Sequence, residues 1–142
     1  MIRPAYKLTH AAALRLLTAA VEAAQAMGVP ECIAIVDEGC NLLASIRMDG
    51  SRVLSVDSAT RKAMTAATTG QETGRLASDR ALALAEVTDG RMTNLLGGVP
   101  LLVEGQVVGG LGVGSGTGEQ DRDVARAAAA AFEKLLKESE TH

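Results

Sequence analysis

The stretch Gly97-Gly98-Val99-Pro100-Leu101-Leu102-Val103-Glu104-Gly105-Gln106-Val107-Val108-Gly109-Gly110-Leu111-Gly112-Val113-Gly114-Ser115-Gly116-Thr117-Gly118-Glu119-Gln120-Asp121 decides the fold. Two apolar runs, Val99 to Glu104 and Gln106 to Val113, meet at a tight turn and read as a β-hairpin. A glycine-rich loop follows. Thr117 then caps a helix, with Gln120 three residues on as the return half of a capping box. Eight of the 15 glycines fall between Gly97 and Gly118, leaving aside the turn residue Gly105. Glycine weakens a strand, so this density calls for close approach of another backbone, a second subunit or a ligand. The segment is expected to form both the core hairpin and the floor of a pocket.

Working outward, Thr9 reads as a helix N-cap. Leu14, Leu17, Val21 and Ala24 repeat at helical spacing until Gly28-Val29-Pro30 stops them. Cys32 to Asp37 is a β-branched run, Glu38-Gly39-Cys40-Asn41 is turn chemistry, and Leu42 to Met48 returns antiparallel to the first run. Ser55 to Ala67 and Gly74 to Val87 read as helices. The last helix is expected to run to about Lys137, with frayed residues after it. The order is α-ββ-αα-ββ-α in a single domain, residues 1–142, an α/β (α+β) arrangement with helices packed on an antiparallel sheet.

Composition removes several function classes. Aromatic residues make up 1% of the chain, with one Tyr, one Phe and no Trp. Stacking on bases or sugars needs aromatic faces, and the net charge of −3 comes without a basic run, so no nucleic-acid partner is expected. No signal peptide and no membrane span are predicted, and the location expected is cytoplasmic. Reduced thiols follow from that location, with a Cys32–Cys40 bridge across the first hairpin as the alternative. His10 and His142 form no spaced set with Cys, Asp or Glu, so no metal site is predicted. The Gly110-Leu111-Gly112-Val113-Gly114 run is not a dinucleotide loop, because that loop needs a parallel βαβ unit.

What remains is a polar group. Arg47 and Arg61 could form a fork for a carboxylate. Lys62 lies one turn from Thr65, and Gly112, Gly114 and Ser115 precede a helix start whose free N–H groups attract anions. Glu119 and Asp121 open that helix, where the helix dipole alone favours acidic residues. Lys62 reads equally as a snorkelling lysine, and Arg47 as half of an ion pair with Asp49 or Asp37.

Five pieces then occur in order: Ile35 to Leu43, Arg47 to Gly50, Lys62 to Ala67, Gly97 to Pro100, and Gly109 to Ser115 with Glu119-Gln120-Asp121. Together they resemble the GlcG/HbpS-like (haem-degrading domain) family over essentially the whole chain. The resemblance implies a profilin-like fold with a sheet of about five strands, the fifth near Met92–Leu96. It also implies a homo-oligomer, from dimer to octamer, and links to haem, to corrinoid enzymes and to catabolic operons. Some relatives in aromatic catabolism look like tautomerases. The function expected is therefore a cofactor-free enol–keto tautomerase or isomerase acting on a small carboxylate. Its catalytic set would be Arg47, Lys62, Asp37 and Asp49, and its substrate would be held by Arg61, Thr65, Gly112, Gly114, Ser115 and Glu119. The alternative is a haem- or corrinoid-binding accessory protein, with Met48 or a Thr as iron ligand in the absence of an internal histidine.

Overall fold

The computed structural model describes residues 1–140. Four helices and four strands follow the expected order. They are α1 (His10–Met27), β1 (Cys32–Asp37), β2 (Leu42–Arg47), α2 (Ser55–Thr69), α3 (Ser78–Val87), β3 (Gly98–Val103), β4 (Gln106–Gly114) and α4 (Gly118–Glu140). All three strand pairs are antiparallel, in the spatial order β2-β1-β4-β3. Residues 92–96 form no strand. Their backbone is tied instead to side chains, Thr93 N–H donating to Thr65 Oγ1 at 2.9 Å.

The sheet separates two helical layers. Ile33, Ile35, Val99, Leu101, Leu111 and Val113 face the main core with α1 and α4. Their alternates Cys32, Ala34 and Val36 face α2, against Ala59, Ala63 and Ala67. This is the period-two alternation of a sheet covered on both sides.

The glycines of β4 explain how α2 sits. Gly110 and Gly112 occupy alternate positions and strip one face of side chains. A Cβ at Gly112 would lie 1.9 Å from the Ala59 carbonyl oxygen, and one at Gly110 2.1 Å from that of Ala63. The density of glycine therefore serves the approach of a helix backbone. The glycine face of the hairpin is filled by α2 and is no pocket floor, which corrects that expectation; the loop beyond Gly114 borders a hollow.

Local signals hold at the ends of elements. Thr9 Oγ1 accepts from Ala12 N–H at 3.1 Å, and Gly28 ends α1 in the left-handed region at φ 70°. The Thr117–Gln120 capping box is reciprocal, at 3.2 and 2.9 Å. The buried stripe of α1 is Ala13, Leu16, Ala20 and Ala24; Ala24 is as expected, Leu17 and Val21 pack half-buried at its edge, and Leu14 is exposed. Alanine at the contact lets α1 lie close to α4, which leaves the larger Leu14 outside. Helix α3 has no buried residue and packs on none of the other elements. Its excursion is clamped at the base by Asn94, whose side chain accepts from Leu76 N–H at 3.0 Å and donates to Leu76 O at 2.9 Å.

Candidate functional site

Lys62 is the centre of the one buried ion pair among the described residues. It leaves the sheet-facing side of α2 and donates to Val113 O at 2.7 Å and to Asp121 Oδ2 at 3.0 Å. Both side chains are almost wholly enclosed, at 4% and 3% exposure. Asp121 Oδ1 accepts from Gly116 N–H at 2.9 Å, so the carboxylate also fastens the loop before α4. Glu31 completes the cluster. It is fully buried, and neither carboxyl oxygen has a hydrogen-bond donor among the described residues. Burial, reinforced by the neighbouring Asp121 carboxyl, pushes its pKa up to about 9 against the opposing pull of Lys62. Glu31 therefore holds a proton at neutral pH. As a neutral acid it has the hydrogen that two ionised carboxylates facing each other would lack.

A hollow of about 440 Å³ opens above this cluster. Lys62, Asp121 and Gly116 border it from below, and Arg52, Ser55, Ser58 and Ser115 from the rim. Ser115 Oγ accepts from Arg52 N–H at 2.8 Å, joining the α2 side of the hollow to the α4 side. Ser115 does so at φ 97°, a costly conformation for any residue with a Cβ.

Of the expected site residues, the structure brings Lys62 and Ser115 to this hollow. The carboxylate fork does not assemble. Arg47 is exposed on the edge strand β2, and Arg61 leaves α2 about 100° around the helix from Lys62. Neither forms an ion pair among the described residues, so the expected Arg47 pairs with Asp49 and Asp37 are absent as well. Asp37 stands at the far end of β1, about 17 Å from the Cys32 end for a strand of this length. There it closes its own turn, accepting from Gly39 N–H and Asn41 N–H at 2.9 Å each. Partial burial opposes its charge, but these donors outweigh it and hold its carboxyl below the usual range. Asp49 and Glu119 are exposed. Thr65 is buried and donates to Arg61 O at 2.7 Å while holding Thr93. Gly112 lies beneath Ala59, and Gly114 beneath Ser58 and Ser55. The anion-binding loop is also closed from within: the N–H groups of Gly116 and Thr117 go to Asp121 and Gln120.

Arg52, Glu31 and the buried role of Asp121 escape a reading by charge and motif. A signal for two of them exists in the periodicity. Glu31 continues the Ile33, Ile35 alternation onto the apolar face. Asp121 begins the buried stripe Val124, Ala125, Ala128 and Phe132.

A second hollow, about 500 Å³ and mainly apolar, lies between the N-terminal segment, the β3–β4 turn and α4. Leu8, Val103, Val108, Phe132 and Leu136 wall it, with Tyr6 at its edge. Both aromatic residues of the chain thus line one hollow. Tyr6 donates to Glu104 Oε2 at 3.1 Å, and that bond, with the adjacent charge, raises the phenol's pKa. His10 is exposed in the first turn of α1, one residue from the lining residue Thr9. Met48 turns inward, its sulfur 3.4 Å from Glu31 N–H, so it is not the free iron ligand expected. Cys32 is the first residue of β1 and Cys40 lies in the turn past its other end; both are free thiols, which rules out the bridge between them. His142 lies outside the described residues. No helix among them is long and apolar enough to cross a membrane.

The model of the family described as haem degrading protein HbpS-like matches residues 8–130. The chain belongs to the HbpS-like family. A double mutant of HbpS from Streptomyces reticuli is 37% identical, with a TM-score of 0.82 over 92% of this chain and 90% of that one. The structure of a PduOC–haem complex is 32% identical, with a TM-score of 0.81 over 89% and 95%. The corrinoid adenosyltransferase PduO of Citrobacter freundii is 35% identical over 91% of this chain but only 40% of its own length. The chain thus spans under half of that relative. These findings overturn the expected tautomerase and its cofactor-free chemistry. They point to haem and corrinoid proteins instead, in line with the missing arginine fork.

Proposed function

We propose that this HbpS-like chain is a haem-binding accessory protein. The observation that carries the reading is its likeness to the PduOC–haem complex at 32% identity over nearly the whole of both chains. The apolar hollow supports it, because a porphyrin needs a wall of aliphatic and aromatic atoms and finds Leu8, Val103, Phe132 and Leu136 there. His10 is the iron ligand of this reading. His10 is exposed and follows the lining residue Thr9 in the chain, whereas the Tyr6 phenol is held protonated by Glu104. Bound haem would supply a redox-active iron with an open coordination position. Two copies of the chain sharing one haem would cover the porphyrin face that a single shallow hollow leaves in water; homo-oligomers are part of this proposal.

Haemin titration tests it. The native chain is expected to shift the Soret band, and His10→Ala to lose the histidine-type spectrum while Met48→Ala keeps it. No Soret shift in the native chain would refute the proposal, and an unchanged His10→Ala spectrum would refute the ligand.

A further inference from the structure

We propose that the hollow above Lys62 and Asp121 is a binding site for a small oxyanion, a carboxylate or phosphate group, gripped by Arg52 and the Ser115 hydroxyl. The site is separate from the apolar hollow of the haem reading and stands without it.

The charge of the lining comes first. Arg52 and Lys62 are its cations and Asp121 its one anion, while every other lining residue is neutral. The hollow therefore carries one net positive charge. Asp121 spends both oxygens inward, on Lys62 and on Gly116 N–H, and offers little to a ligand. Lys62 has three N–H bonds and uses two. The Arg52 guanidinium makes no ion pair among the described residues, and its five N–H bonds suit a planar or tetrahedral oxyanion. Ser115 Oγ already accepts from Arg52 N–H, so its own hydrogen is left to donate. Free donors thus outnumber free acceptors.

The second observation is independent. Glu31 is wholly buried next to Asp121 and Gly116, and has no donor for either oxygen. The groups facing it are Asp121 from α4 and Lys62 from α2. With Glu31 neutral, the cluster below the hollow balances Lys62 against Asp121, and Arg52 remains uncompensated. Ionised Glu31 would cancel Arg52 and with it the attraction for an anion. A proton stored on Glu31 accordingly sets the sign of the hollow. The strained Ser115 fits this role, since strain that persists is characteristic of sites where a side chain must be held in place.

The test uses the full-length chain and three probes: sulfate, inorganic phosphate and acetate. Backbone amide resonances are followed by NMR at pH 7 during titration. Shifts are expected at Arg52, Ser55, Ser115, Gly116 and Gly118. Response to sulfate and phosphate alone assigns a phosphate-type ligand, and response to acetate as well assigns a carboxylate. Arg52 is exposed, so Arg52→Ala should fold normally and weaken binding about tenfold or more, the equivalent of one charge-assisted hydrogen bond. Arg80→Ala, on the detached α3, should leave it unchanged. Sulfate keeps its charge above pH 7, so its affinity should fall as pH rises towards 9 in the native chain and stay level in Glu31→Gln. Haemin binding by Arg52→Ala should match the native chain, which separates this proposal from the haem one. Shifts confined to other surfaces, or equal affinity in Arg52→Ala, would overturn it.

Discussion

Replacing Glu31 by Gln should make the protein more stable at neutral pH, although it removes a buried charged-type residue. The reason is proton linkage. The folded chain holds Glu31 protonated up to about 9, whereas the unfolded chain ionises it near the ordinary value of 4.5. Between those values the folded state binds one more proton than the unfolded state. Stability due to this group is therefore full below about pH 4.5 and declines as pH rises to about 9. The slope is at most about 1.4 kcal/mol per pH unit, so the native chain should lose up to about 3 kcal/mol between pH 6 and 8 from Glu31 alone. Glutamine has nearly the same shape and does not titrate. It carries no charge into the interior beside Asp121, so the Lys62–Asp121 pair should survive. Urea unfolding at half-unit intervals from pH 5 to 9 measures the difference between the two chains. It should be small near pH 5 and grow steadily in favour of Glu31→Gln. Parallel stability curves, or a variant that falls behind at pH 8, would refute a proton held on Glu31.

Two further substitutions probe the frame around that cluster. Lys62→Ala strands the Asp121 carboxylate in the interior and removes the donor from Val113 O; urea unfolding at pH 6 should show a loss of about 3–5 kcal/mol, and a loss below about 1 would mean the pair is solvated. Gly112→Ala places a Cβ 1.9 Å from the Ala59 carbonyl oxygen, so α2 must move or the strand must bend; thermal unfolding should register a loss of about 3 kcal/mol or more, against about 1–2 kcal/mol at Gly90, where the space is open and only the φ of 77° opposes a side chain.

The fold was legible because its elements obey local rules. The Gln106–Gly114 strand, the two-residue turn before it and the Thr117 cap each carry their own chemistry, and the structure matches them within a residue or so. The position of α2 was legible only in part. Glycine at 110 and 112 announces close approach but does not say of what; the alanines at 59 and 63 answer that, once the two are known to face each other. Helix α3 shows the opposite case. Its Leu82 and Val87 satisfy a helical pattern, yet they are 72% and 77% exposed, because an apolar pattern cannot by itself state which surface will cover it.

The site was less legible, and the reason is physical. Basic residues near glycine suggested a ligand fork, but a charge says nothing about its own burial, and Arg47 ended on an edge strand. Burial parity is the better guide. Glu31 is in phase with Ile33 and Ile35, and Asp121 with Val124 and Phe132, so each is a polar group where the pattern demands an apolar one. Such a residue must be compensated by a partner or neutralised by a proton, and this chain uses both solutions a few ångströms apart. Lys62 approaches from α2 on one side of the sheet and Asp121 from α4 on the other. They meet at the end of β4, where Lys62 also reaches Val113 O and the strand gives way to Ser115 and Gly116. The convergence is a property of topology: helices packed on opposite faces share side chains at the end of the sheet between them, and that is where this protein leaves a hollow open.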